Sequence, residues 1–364
     1  MGALLAAVLA AAQVDAAVAT GGHLRSSAPG DASATRIVDV EPKLGATIED
    51  PGFSLQGRYA PQLWTGDTTS VRHDALLSES WQQTPNLRWG AQQGFRYGSN
   101  QAVWDPGLKR PFDTLEPLLP IVSDELSAHG DLGFGYLLSR TASFNVGVGY
   151  LVYGGASAAS QKILPLQQGP QIYSGIDQEL TRSDRLSTSL YASHSFVSDG
   201  TQSSLIELTE GWERTLGPST RTTLTGGASV RRRSSDDLLP VATAALQHDV
   251  LGRTRKVELR ALVELKPYQS RLTGNLVERA DLGASLRWVF GNELWIRLRA
   301  AAAKELGSAR YLVGAVDGSW RLSGNLSLAA GVASYWPQLQ APAAGGSTQW
   351  MAFSALTFAT HQPI

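Results

Sequence analysis

The chain has 364 residues, with 31 Lys plus Arg against 32 Asp plus Glu, and its formal net charge of −1 excludes a nucleic-acid binder that works by bulk positive charge. It has no cysteine, which removes disulfide frameworks, thiolate metal sites and cysteine nucleophiles together. A mean hydropathy of −0.12 is too low for a bundle of membrane helices, which needs repeated apolar runs of about 20 residues, but it does not test a membrane β-barrel.

In chain order, Leu4 to Ala12 form a short apolar run, followed by small residues at Ala17, Val18 and Ala19. The pattern reads as an export leader over residues 1–19 that lacks a positive N-region, because Met1 and Gly2 carry no Lys or Arg. Residues 20–35 hold Gly, Ser, Pro, Asp and Ala without periodicity and read as a flexible lead-in. From Val38 the apolar residues Val38, Val40, Pro42, Leu44, Ala46 and Ile48 alternate with Asp39, Glu41 and Lys43, which is the period of a strand with one polar face. After the turn Asp50-Pro51-Gly52 the pattern resumes through Phe53, Leu55, Gly57, Tyr59, Pro61 and Leu63. It returns over Leu126 to Leu138, Phe144 to Val152, Val257 to Leu265 and Leu282 to Phe290.

Counted this way the chain holds about seventeen strands of roughly 10–13 residues, long for a soluble sheet and right for a tilted membrane crossing. Short turns near Pro51, Pro85, Arg140, Arg182, Pro218, Gly252, Asn292 and Gly324 alternate with longer links near Asp67, 100–121, 154–167, Asp199, Ser234, Tyr268, Glu305 and 337–346. Tight turns on one side and loops on the other are how outer-membrane barrels are built. Such barrels also carry aromatic belts at both interfaces, and Trp64, Trp81, Trp89, Trp212, Trp288, Trp320, Trp336 and Trp350 are the expected girdle.

On these features the chain resembles the bacterial outer-membrane β-barrel class over about residues 36–358, with 359–364 as a tail beyond the last strand Trp350, Ala352, Ser354, Leu356, Phe358. The fold expected is therefore all-β: a transmembrane antiparallel up-and-down β-barrel. Such barrels have an even strand number, which predicts eighteen strands with one more before Arg36, or sixteen as the alternative. The resemblance implies a place in the outer membrane of a Gram-negative bacterium, among its lipid and lipopolysaccharide. It extends to porin-like channels and to exopolysaccharide-export barrels. The second implies secretion of a polysaccharide served by separate periplasmic export proteins; a general or sugar-selective diffusion porin is the alternative, then a structural or adhesive barrel or a lipid hydrolase.

The polar parity places Arg58, Arg88, Arg96, His129, Asp131, Tyr173, Arg260, Glu264, Asp281, Arg287, Trp295, Arg297 and Arg299 on the lumen. Both signs occur there, so this face is either a ladder of cross-strand ion pairs or a path for a polar solute without strong ion selectivity. Trp295 and Tyr173 offer rings for stacking on sugars. Gly133, Gly135, Gly147 and Gly149 leave the wall bare, for a plug, a broad solute or plain curvature. The link from Asn100 to Ile121 is long enough to fold inward as a constriction lined by Trp104, Asp105, Lys109, Arg110, Asp113 and Glu116, or to cap the barrel outside. Arg231, Arg232 and Arg233 stand at the rim as an anion clamp or a solvated charge run. Ser127, His129 and Asp131 share one face of one strand, but neighbours two apart lie roughly 6.5–7 Å from each other, too far for a direct relay. With no metal-ligand spacing and no hydrolase or nucleotide motif, passage is expected rather than an enzyme, with no metal, cofactor or nucleic acid.

Overall fold

Period-two patterning commits the chain to extended backbone, because only a strand collects alternate side chains on one face. The computed structural model describes residues 12–26, 34–66, 69–99, 124–162, 164–232, 236–251, 255–269, 276–291, 293–305, 309–339 and 349–363. The strands are β1 (Ala12–Ser26), β2 (Ala34–Asp50), β3 (Phe53–Tyr59), β4 (Gln62–Thr65), β5 (Thr69–Thr84), β6 (Leu87–Ser99), β7 (Asp124–Leu137), β8 (Ala142–Gly155), β9 (Gln167–Glu179) and β10 (Asp184–Val197). They continue as β11 (Gln202–Thr215), β12 (Thr220–Arg232), β13 (Asp236–Leu251), β14 (Arg255–Gln269), β15 (Leu276–Phe290), β16 (Leu294–Glu305), β17 (Ala309–Arg321), β18 (Leu326–Leu339) and β19 (Gln349–Pro363). One helical turn, α1 (Ala158–Gln161), sits between β8 and β9. Among the described residues no helix is long and apolar enough to cross a membrane.

Each strand pairs antiparallel with the next, except that β3 and β4 each pair with β2 and β5 and not with each other, and β1 pairs with β19 from Gln13↔Pro363 to Arg25↔Met351, so the sheet closes and leaves no edge. β3 and β4 fill one place in the wall between β2 and β5. Pro61, with no N–H to give the ladder, stands in the gap between them. The nineteen segments therefore make a closed wall of eighteen strands, and sixteen is excluded. At a spacing of about 4.8 Å and a tilt near 40° such a wall is roughly 35 Å across, wider than wall side chains can fill.

Strand extends into both terminal stretches of the described wall. The strand before Arg36 is β1, which takes in residues 20–26 of the expected lead-in and begins at Ala12, ahead of the expected leader boundary at Ala19. Its alternation is carried by Ala, Gly and Thr, too small to stand out beside an apolar run. At the other end, β19 runs on through the expected tail to Pro363 because β1 supplies its ladder.

The turns joining β2 to β3, β5 to β6, β7 to β8, β9 to β10, β11 to β12 and β17 to β18 are at most four residues and share one end of the barrel with Ala12 and Pro363. Gly52, at φ +93°, gives the Pro51-Gly52 turn its left-handed residue. The outward parity exposes Val40, Leu44, Leu77, Leu132, Val148, Ile172, Leu190, Leu208, Val263, Leu282, Val316 and Leu356, the band a lipid-facing barrel needs. Trp81, Trp89, Trp212, Trp288 and Trp320 stand on that parity near the short turns, with Trp350 toward the other end. Trp212 donates its Nε1 to Asp184 (3.2 Å) and Trp89 to Gln83 (3.0 Å), apolar ring on lipid and polar tip on the turn. From Trp212 to Gln202, the partner of Phe196, the register covers roughly 33 Å of strand, about 25 Å when tilted.

Trp64 does not belong to this girdle. Leu63 takes the outward position, so Trp64 turns inward, is 2% exposed, and packs 5.4 Å under the Arg72 guanidinium. The side chain of Trp336 lies outside the described residues.

Candidate functional site

The inward parity carries polar and charged groups on most strands, with β18 turning Ala329, Gly331 and Ala333 inward instead, and the register decides which of its groups meet. Arg58, Arg88 and Arg96 project inward from β3 and β6, opposite in parity to Leu77 on the intervening β5. Asp74 of β5 lies between two of them, at 3.3 Å from Arg58 and 2.8 Å from Arg96. Arg88 instead donates to Ser80 Oγ at 3.1 Å. Deeper in the same arc Arg72 donates to Gln62 (2.9 Å), and Gln62 to Asp39 (3.3 Å).

The second basic arc spans β14 to β17. Glu258 gathers Lys256 (2.8 Å), Arg287 (3.4 Å) and Arg260 (4.0 Å), Glu264 pairs with Lys266 (2.8 Å), and Arg279 pairs with Asp281 (2.9 Å) under the Tyr268 ring. Asp317 has no exposed side-chain surface and is shared by Arg297 at 2.7 Å and Arg299 at 3.2 Å. The Trp295 ring has Arg287 at 4.9 Å and Arg297 at 5.3 Å, so guanidinium already occupies much of the surface that a sugar would use.

Between the arcs, β7, β8 and β9 form a flatter stretch. His129 lies over Gly94 of β6, where a Cβ would fall on its ring. Tyr173 of β9 lies across Gly147 of β8 and brings its hydroxyl to Gly133 of β7. Gln171 reaches over Gly149 in the same way and donates to Asp131 at 2.9 Å, while Tyr191 donates to Gln171 at 3.2 Å. His129 and Asp131 thus face different neighbours, and no hydrogen bond joins them or Ser127 among the described residues.

Accessibility changes along the axis. Gln56, Arg58, Arg88, Arg185, Arg221 and Arg321 are exposed on the inward parity toward the short-turn end. Toward the long-link end Ile37, Asp39, Gln62, Tyr153, Ser195, Val197, Leu205 and Glu305 are buried, while Arg96 and Lys266 stay half-exposed. There Arg231 donates to the Leu276 carbonyl at 2.8 Å, reaching across from β12 to β15, whereas Arg232 is exposed on the outside. Arg233 and the expected constriction residues Trp104, Asp105, Lys109, Arg110, Asp113 and Glu116 lie outside the described residues.

Asp74, Gln171, Tyr191, Gln62 and Arg72 were not among the expected lumen residues. Asp74 is legible by hairpin arithmetic, since it and Arg96 are equidistant from Pro85. Gln171 is not, because it meets Asp131 over an intervening strand, a reach that only Gly149 permits.

The EpsX exopolysaccharide export family model matches the chain over residues 126–235 and 231–360. No curated protein matches it. Among solved structures, OpdO of Pseudomonas aeruginosa is 13% identical, with 98% of this chain and 99% of that one covered and a TM-score of 0.55. OccAB4 of Acinetobacter baumannii is 8% identical, with 96% and 98% covered and a TM-score of 0.56. At these identities the likeness is one of fold.

Proposed function

We propose, from the premise that the chain belongs to the EpsX exopolysaccharide export family, that it is an outer-membrane barrel through whose lumen a polysaccharide leaves a Gram-negative cell. The observation that carries this reading is the closed wall, apolar outside and lined inside by charges that largely pair with one another along and across strands. Paired charges hold no strong field for one ion sign, yet their remaining donors and acceptors and the amides around them suit hydroxyl groups. The short turns face the periplasm, as do both ends of the described wall. The polymer enters at that wetter end, delivered by separate periplasmic export proteins, and the barrel's work is passage rather than reaction.

The absence of cysteine gives a direct test. Gln56→Cys places a single thiol on the open inward face, and Leu132→Cys places one on the lipid face. Attaching a bulky maleimide-linked polymer to Gln56→Cys is expected to abolish surface polysaccharide, with Leu132→Cys unaffected. Continued export through the fully labelled Gln56→Cys barrel overturns the reading.

A further inference from the structure

Resting on the export reading, we infer that the inner wall from β5 to β9 is a saccharide-binding subsite for an uncharged glycan, with Tyr173 as its stacking platform. The starting observation is an absence of side chains. Gly147 and Gly149 on β8 and Gly133 on β7 all face inward, and a Cβ on Gly147 would fall on the Tyr173 phenol. A tyrosine that reaches from its own strand over the next to a third has to lie along the wall rather than stand from it. One ring face therefore rests on glycine backbone and the other turns to the lumen, where Tyr173 is partly exposed. One dyad up the strands, Gln171 crosses Gly149 to Asp131 and makes a second lateral rung.

Tyr173, the acceptor Asp131 and Gly133 line one side of a recess in the wall of about 420 Å³, within the range of small-molecule sites. Ser80, Arg88, Gln92, Asp131, Asn145 and Tyr173 line it. The combination is what a pyranose ring requires: a flat apolar face for its C–H side, ringed by amides that both donate and accept, and a carboxylate for paired hydroxyls. Asp131 has no cationic partner among the described residues, its neighbour being the Gln171 amide. Arg88, bound to Ser80, is the balancing cation at the other edge. Glu79 lines the recess as well, so the site carries no net positive charge, and a uronate placed over Tyr173 would meet the Asp131 charge. Trp295 is the weaker platform because two guanidiniums already crowd it.

The test is calorimetric titration of the full-length barrel in detergent micelles with maltohexaose, and separately with hexagalacturonate as the acidic comparator. Maltohexaose is expected to bind and the acidic oligomer to bind at least about tenfold more weakly. Tyr173→Ala should weaken maltohexaose binding by about tenfold or more, and Tyr173→Phe, which keeps the flat ring, should stay within about threefold of the parent. Gly147→Ala, which lifts the ring without removing it, should also weaken binding. The heat-dependent gel shift of each variant checks that the barrel has formed. No binding of maltohexaose, equal binding by Tyr173→Ala, or preference for hexagalacturonate overturns the inference. If the labelled Gln56→Cys barrel still exports while Tyr173-dependent binding holds, the export reading falls and the subsite stands. If labelling blocks export and no oligosaccharide binds, the reverse is true.

Discussion

Asp317 shows what one residue carries in this wall. Its carboxylate is removed from solvent and shared by two guanidiniums that are themselves about nine-tenths buried, so truncation takes the common counter-charge from both. Asp317→Ala is therefore expected to destabilise the barrel by about 3–5 kcal/mol, read as a lower denaturant midpoint in micelles. Asp317→Asn, which keeps an acceptor for Arg297, should cost less; an unchanged midpoint in both variants would show that the cluster contributes nothing. This pair was readable beforehand, since Arg297 and Asp317 are equidistant from residue 307 in the link joining their strands. Contacts that skip a strand were not. Tyr173 could be assigned to the lumen by parity, but its rest on Gly147 depends on the stagger between three strands, which hairpin arithmetic does not reach.

Strands were legible wherever large apolar residues marked alternate positions, as in Leu126 to Leu138 or Val257 to Leu265. β1 escaped because its outward side is Ala16, Val18, Thr20 and Gly22, whose contrast with the inward side is slight. Trp64 was misplaced by trusting its nearness to a link over the parity of Leu63 beside it. β1 also makes a demand on processing. It pairs with β2 and β19 along its whole length, so removing residues 12–26 would leave two raw edges and prevent closure. Chains beginning at Ala34 are expected to show no heat-dependent gel shift. In the same sense, mass spectrometry of protein isolated from outer membranes should find Ala12 to Ser26 retained, and a mature chain beginning at Thr20 would require a different seam.

Across the whole molecule the inward charges form two basic arcs, β3 to β6 and β14 to β17, separated by acidic stretches holding Asp131, Asp177, Glu207 and Glu213 on one side. In planar bilayers under a tenfold KCl gradient any current is expected to reverse near zero, with cation and anion permeabilities within about threefold of each other. Strong anion selectivity would mean that the basic arcs alone line the path, and strong cation selectivity that the acidic stretch between them does. The seam between β1 and β19 carries a further consequence for biogenesis. It joins Gln13 to Pro363, so the ring cannot shut until the ribosome has released the last strand, and a contact spanning roughly 350 residues costs about 3 kcal/mol more loop-closure entropy than a ten-residue hairpin. Every earlier intermediate is an open sheet with two unpaired borders, and a product that stops before β19 has no partner for β1 and is expected to aggregate or be degraded rather than close.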